Sequence, residues 1–159
     1  MTRGMSLSAK IRRAPLRLSS GAFILNSGLG KLKADEATAG QLHGMAAGTY
    51  PFLAKVEPKV FTKALAVGEI ALGTLLLAPI VPAGLAGIAL TGFGGGLVGL
   101  YLKTPGLTQE GSIAPTPAGI GIAKDVWLSS MGVALVLDAA LAESRITDDS
   151  RDLIPLPGH

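Results

Sequence analysis

Lys124 and Asp125 stand side by side in one apolar stretch of the chain, and Glu69 stands inside another. Asn26 and Lys31 fall in or at the end of a third. In a bilayer an isolated charge at mid-depth costs about 2.5–3.5 kcal/mol on insertion scales, so such groups pair, line a wet cavity, or serve a ligand or a proton. Counted inward from one end of each block, Glu69 lies about nine residues deep and Lys124 and Asp125 roughly six or seven, or about 9–14 Å at helical rise. Asn26 reaches a similar level from the first block, with Lys31 just beyond it. Lys124 and Asp125 are about 100° apart around a helix and cannot share one narrow face. The expected contact is Lys124 with Glu69, leaving Asp125 to bond the loop or Lys31. The cluster reads either as ion pairs that hold helices in register or as a ligand, quinone or proton site. Arg17 and Asp138 share a second level and read as interfacial anchors, since long basic side chains snorkel.

Other chemistry finds few residues. There is no cysteine, which removes disulfides, thiolate zinc and iron–sulfur ligation from this polypeptide. His43 and His159 are the only histidines, so a pair of facing haem ligands is not expected, and no metal site is read. No Ser-His-Asp set or activated carboxylate pair is visible. Gly94, Gly96 and Gly99 satisfy a G-x-G-x-x-G pattern, but they sit inside an apolar run with no preceding strand, which the dinucleotide fold requires. The same region offers Gly92 with Gly96 and Gly95 with Gly99, two small-xxx-small pairs that suit close helix packing within the chain or a seam between two copies.

The elements that must position these groups are helices in lipid. Hydrophobic residues make up 48% of the 159-residue chain, charged residues 16%, and mean hydropathy is +0.48. Soluble domains carry about 25% charged residues, so this chain lacks the polar surface for water. Four apolar spans are expected, near residues 14–32, 60–82, 83–102 and 118–142. Residues 60–82 alone give about 34 Å at helical rise, enough for a hydrocarbon core of about 30 Å. Pro79 and Pro82 leave a tight turn, so the middle two spans form a hairpin. Between spans one and two, Asp35 can cap a short helix carrying Gly40, Gly44 and Gly48, ended by Tyr50-Pro51 and read as an interfacial segment. The fold class is therefore all-α, an integral membrane four-helix bundle.

Residues 1–13 read as a basic leader and 143–159 as a polar, disordered tail. A retained first span is preferred to a cleaved signal, because Arg17 breaks the apolar run and no A-x-A-like site follows. Basic residues ahead of the first span put both termini in the cytoplasm under the positive-inside rule. The net charge of +3 reflects this flanking, and with four Phe, two Tyr and one Trp for stacking, nucleic acid is not an expected partner.

The stretches GAFILNSGLGKL (21–32), GEIALGTLLLAP (68–79) and AKDVWLSSMGVALVLD (123–138) together resemble the DoxX-like membrane proteins. The resemblance covers about residues 14–142. It implies a four-helix protein of the bacterial plasma membrane, whose recurrent charged positions map onto Lys31, Glu69, Lys124 and Asp125. Some members are subunits of thiosulfate:quinone oxidoreductase. The implied role is a non-catalytic accessory or anchoring subunit of a quinone-linked membrane oxidoreductase, with quinone as the associated cofactor. The alternative is a stand-alone bundle that binds or moves a small solute or proton through the polar cluster. The chain departs from the family in its longer glycine-bearing segment between spans one and two and in lacking a thiol.

Overall fold

The computed structural model describes residues 7–152, with side-chain surroundings through residue 142. Long helices are α1 (Leu7–Lys31), α3 (Pro58–Leu77), α4 (Ala83–Lys103) and α6 (Val126–Asp152). Shorter ones are α2 (Glu36–Thr49), a 3-10 turn at Pro51–Lys55, and α5 (Ile120–Ala123). No β-strand occurs among the described residues.

Local chemistry sets the boundaries. The Asp35 carboxylate accepts from the Thr38 amide at 2.8 Å and caps α2, and Pro51 stops it. Pro58 opens α3, where its missing N–H costs nothing, and Pro79 prevents that helix from continuing. Pro105 follows α4 in the same way.

Three stretches are long and apolar enough to cross a membrane: Pro58–Leu77, Ala83–Lys103 and Ile120–Ala142. This marks the chain as a membrane protein. The outward residues agree, since Leu18, Phe23, Val67, Ile88, Val133, Leu137 and Leu141 are exposed large hydrophobics, as a lipid solvent favours. Helix α1 is long, but Arg12, Arg13, Arg17, Ser19, Ser20 and Asn26 dilute its apolarity. Two boundaries differ from the sequence reading. Helix α1 begins at Leu7, inside the expected leader, and α6 runs on to Asp152, inside the expected tail. Residues 1–6 and 153–159 lie outside the described residues.

Packing follows two antiparallel pairs. Helix α1 lies against α3 where Gly28 meets Ala66 and Ile70, and where Gly73 meets Leu25. Helix α4 lies against α6 where Gly87 and Gly94 meet Gly132 and Ser129. A Cβ placed on Gly73 would sit 2.7 Å from the Leu25 backbone nitrogen, and one on Gly94 2.6 Å from the Ser129 nitrogen, so these backbones touch. Without hydrophobic gain between helices in lipid, such close approach supplies the dispersion contacts that hold them. The pairs join through one core of Ile24, Leu76, Ala86, Leu90, Leu128 and Leu135.

The expected glycine face is elsewhere. Cβ atoms on Gly92, Gly95 and Gly96 would meet nothing within 4 Å, and one on Gly99 would meet the Tyr50 hydroxyl at 2.6 Å. Tyr50 donates to the Gly96 carbonyl at 2.7 Å, which ties the end of α2 to α4. The helix rotation that buries Gly87, Leu90 and Gly94 turns Gly92 and Gly95 outward.

Candidate functional site

Glu69 is the most buried carboxylate of the described residues, 4% exposed in the middle of α3. Its partner is Lys31, whose Nζ lies 2.9 Å from Oε2. The same amine donates to Ser27 Oγ at 2.6 Å, one turn back on α1. The pairing is with Lys31 and not with Lys124, and the reason is Gly28. Its missing side chain lets α1 press against the α3 backbone at Ala66 and Ile70, which brings the last turn of α1 over Glu69. Lys124 is exposed and makes no ion pair among the described residues. Asn26 is also exposed and stands apart from the pair.

Asp125 is half-buried and close enough to feel the charge of both Lys31 and Glu69. Its carboxylate has no hydrogen bond or ion pair with the described residues. It follows a break in the helical run: Asp125 N bonds Ile122 O at 2.9 Å and Trp127 N bonds Lys124 O at 3.0 Å, three-residue spacings that tighten the turn. The fourth apolar stretch is thus two pieces, α5 and α6, where the sequence reading had one continuous span. Lys31, Glu69 and Asp125 form a polar seam of one cation and two carboxylates.

Two further charged contacts lie toward the other end of the helices. Asp138 does not meet Arg17. It is held by Arg12, Nε to Oδ1 at 2.6 Å, and Arg13, Nε to Oδ2 at 2.5 Å, with Arg13 also reaching the Asp138 carbonyl. Arg17, 7% exposed, donates to the carbonyls of Leu75, Leu76, Ala78 and Val81 at 2.6–3.1 Å. The Leu75 carbonyl would ordinarily receive the amide of residue 79, which is proline and has none. Arg17 supplies that missing donor and places a cation at the negative end of α3. Signals for this contact existed in the sequence, an arginine in an apolar block and a proline at a helix end, but nothing linked them.

Several polar groups near the seam are already engaged. Lys31 serves Glu69 and Ser27. The hydroxyls of Tyr50 and Tyr101 are committed to Gly96 and Ile113 carbonyls, and His43 Nε2 to the Leu53 carbonyl. Ser129 keeps a buried hydroxyl without a partner, but it faces the Gly94 backbone. Among the described residues no three His, Cys, Asp or Glu side chains gather as a metal would need.

Comparison with protein-family models, with characterised proteins and with solved structures returns no match.

Proposed function

We propose that this chain is a four-span protein of DoxX-like type, with α1 as the first span, that serves as a non-catalytic accessory or anchoring subunit of a bacterial plasma-membrane oxidoreductase. One observation carries the reading: the buried ionisable side chains are spent on joining helices. Arg13 holds Asp138, Arg17 caps α3, and Glu69 holds Lys31. A buried charge that is paired and hydrogen-bonded can fix which helices meet and in which register. Quinone chemistry in such a complex belongs to the partner. An interfacial α2 on the outer face and both termini on the cytoplasmic face complete the proposed topology.

The test is extraction in a mild native detergent with a tag on the C-terminal tail, followed by identification of stoichiometric components. A redox enzyme recovered one-to-one supports the reading. Recovery of the bare chain from cells in which that enzyme class is expressed sinks it.

Asp125 favours a second reading. A half-buried carboxylate beside an existing pair leaves two acids sharing one lysine, an arrangement that can take up a proton or a small cation. In a stand-alone transporter Asp125→Asn abolishes flux in proteoliposomes while assembly is retained. Unchanged flux rejects it.

A further inference from the structure

Asn26 is the only asparagine of the chain, and among Asn26, Gln41 and Gln109 it alone lies in a long helix. Its depth follows from the packing of α1 on α3. Leu25 meets Gly73, and Gly28 meets Ala66 and Ile70. Asn26 therefore stands more than one turn inside either end of a helix apolar enough to cross a membrane. It is exposed and makes no hydrogen bond with the described residues. Exposed serines on the long helices settle their own hydroxyls, Ser19 on the Pro15 carbonyl at 2.6 Å and Ser130 on the Val126 carbonyl at 3.0 Å. The Asn26 amide leaves its N–H donors and its carbonyl open. In hydrocarbon these groups are costly when unmet, and the side chain is too short to snorkel as lysine and arginine do.

The face around this amide permits close approach. Arg17, Gly21, Ile24 and Gly28 lie on the buried side of α1, and at helical spacing Asn26 projects nearly opposite to them. On that outer side Ser19, Ala22, Asn26 and Leu29 are all exposed and recur at intervals of three, four and three, the spacing of a coiled-coil seam. Gly30 flanks them, and a Cβ placed there would meet nothing within 4 Å. Small side chains beside a polar one let a second backbone come near enough for polar groups to bond across helices. The open face of α4 differs. Gly92 and Gly95 lie beside the exposed Leu85 and Ile88, and the neighbouring Thr91 hydroxyl already bonds the Gly87 carbonyl, so lipid satisfies that surface.

We infer that this face of α1 binds a second copy of the chain, the two Asn26 amides hydrogen-bonded to each other across a twofold axis along the membrane normal. Copies that share one topology hold identical residues at identical depth. A carboxamide is its own complement, since the N–H of one donates to the carbonyl of the other and the reverse. An isologous contact therefore satisfies both amides at once, which an apolar partner does not. The inference requires only that α1 lie beside α3 in the membrane, and it is independent of the accessory-subunit reading.

The experiment uses the full chain, which has no cysteine of its own. Ala22→Cys, Leu29→Cys, Val67→Cys and Gly92→Cys are made singly and oxidised in the membranes of expressing cells. Disulfide-linked dimers are expected from the two α1 positions and not from α3 or α4. Sedimentation equilibrium in density-matched micelles then measures the dimer Kd. Asn26→Leu is expected to weaken association roughly three- to thirtyfold, the range for an interhelical polar contact, and Asn26→Gln to keep most of it. Asn26 is exposed, so N26L leaves the fold intact, and equal melting of variant and parent verifies this. The cross-links, read with Asn26 in place, decide the contact even if N26L unfolds. A monomer at every concentration, cross-links at Gly92 or Val67 but not on α1, or α1 cysteines captured only by a different protein overturns the inference. So does a folded N26L that dimerises as tightly as the parent.

Discussion

Arg17 in the first helix donates its Nε–H to the carbonyl of Leu76 in the last turn of α3, at 2.7 Å. Three further carbonyls, of Leu75, Ala78 and Val81, share the same guanidinium. One side chain thereby closes a helix end that Pro79 leaves open and fixes the turn into α4.

Removing that group strands buried carbonyls. Arg17→Leu is expected to destabilise the protein by about 2–4 kcal/mol, the cost of leaving buried acceptors unmade. Arg17→Lys recovers only part of this, because an ammonium lacks the planar fork. Reversible unfolding in mixed micelles measures both, and a lysine variant as stable as the parent contradicts the role given to the guanidinium.

The Lys31–Glu69 pair gives a sharper outcome as a cycle. Glu69→Leu or Lys31→Met alone leaves a buried charge without its partner and costs about 3–5 kcal/mol, while the double variant Lys31→Met, Glu69→Leu returns near the parent. Strong coupling in a double-mutant cycle is the expected result. If the double variant is stable and co-purifies with the same components as the parent, the pair is structural. Loss of function in that stable double variant transfers the weight to the site reading.

Glycines divide into two classes by position. Gly73→Leu and Gly94→Leu should prevent folding, since each places atoms where a neighbouring backbone already lies. Gly92→Leu and Gly95→Leu should be tolerated within about 1 kcal/mol, as they face open space and gain helix propensity. Monodispersity after extraction and thermal stability check the four together.

The α2 cap carries an acid dependence. The Thr38 backbone amide, bonded to the Asp35 carboxylate, holds that carboxyl below its ordinary value, and hydrogen bonding to Lys59 does the same for Glu36. A lowered folded-state pKa means that the unfolded chain binds the proton more readily. The stabilisation is therefore present above the unfolded value, about 3.9 for aspartate, and is lost as pH falls through the folded one. Amide exchange in α2 should accelerate selectively in that acid range. Asp35→Ala should exchange faster at neutral pH and show less further change on acidification.

Topology can be read directly because the chain has no cysteine. Ser112→Cys, in the loop between α4 and α5, should be labelled by a membrane-impermeant maleimide only from the outer face. Labelling from the cytoplasmic side inverts the proposed orientation.

The parts of this fold governed by local chemistry were legible in the sequence. The apolar runs at 60–82 and 83–102 cover most of α3 and α4, with Pro79 and Pro82 between the two helices, and Asp35 announced the short α2. Glu69 and Lys31 stood out because charge in an apolar run is expensive. The partners did not, because they depend on how far two helices approach. Lys31 reaches Glu69 only because Gly28 removes a side chain from the interface. Depth along a span put Lys124 at the level of Glu69, but depth carries no information about which way a side chain points, and Glu69 pairs with Lys31. Spacing likewise singled out Gly92 with Gly96 and Gly95 with Gly99, and only the packed rotation of α4 assigns the interhelical contacts to Gly87 and Gly94. The break at Lys124 and Asp125 had no proline or glycine pair to mark it.

The Arg17 contact also imposes an order on synthesis. Its acceptors are encoded about sixty residues downstream, and the carboxylate that holds Arg13 is 125 residues away. When the first helix leaves the ribosome neither set of acceptors has been made: Arg17 is answered once the turn after α3 follows it, and Arg13 only once α6 does.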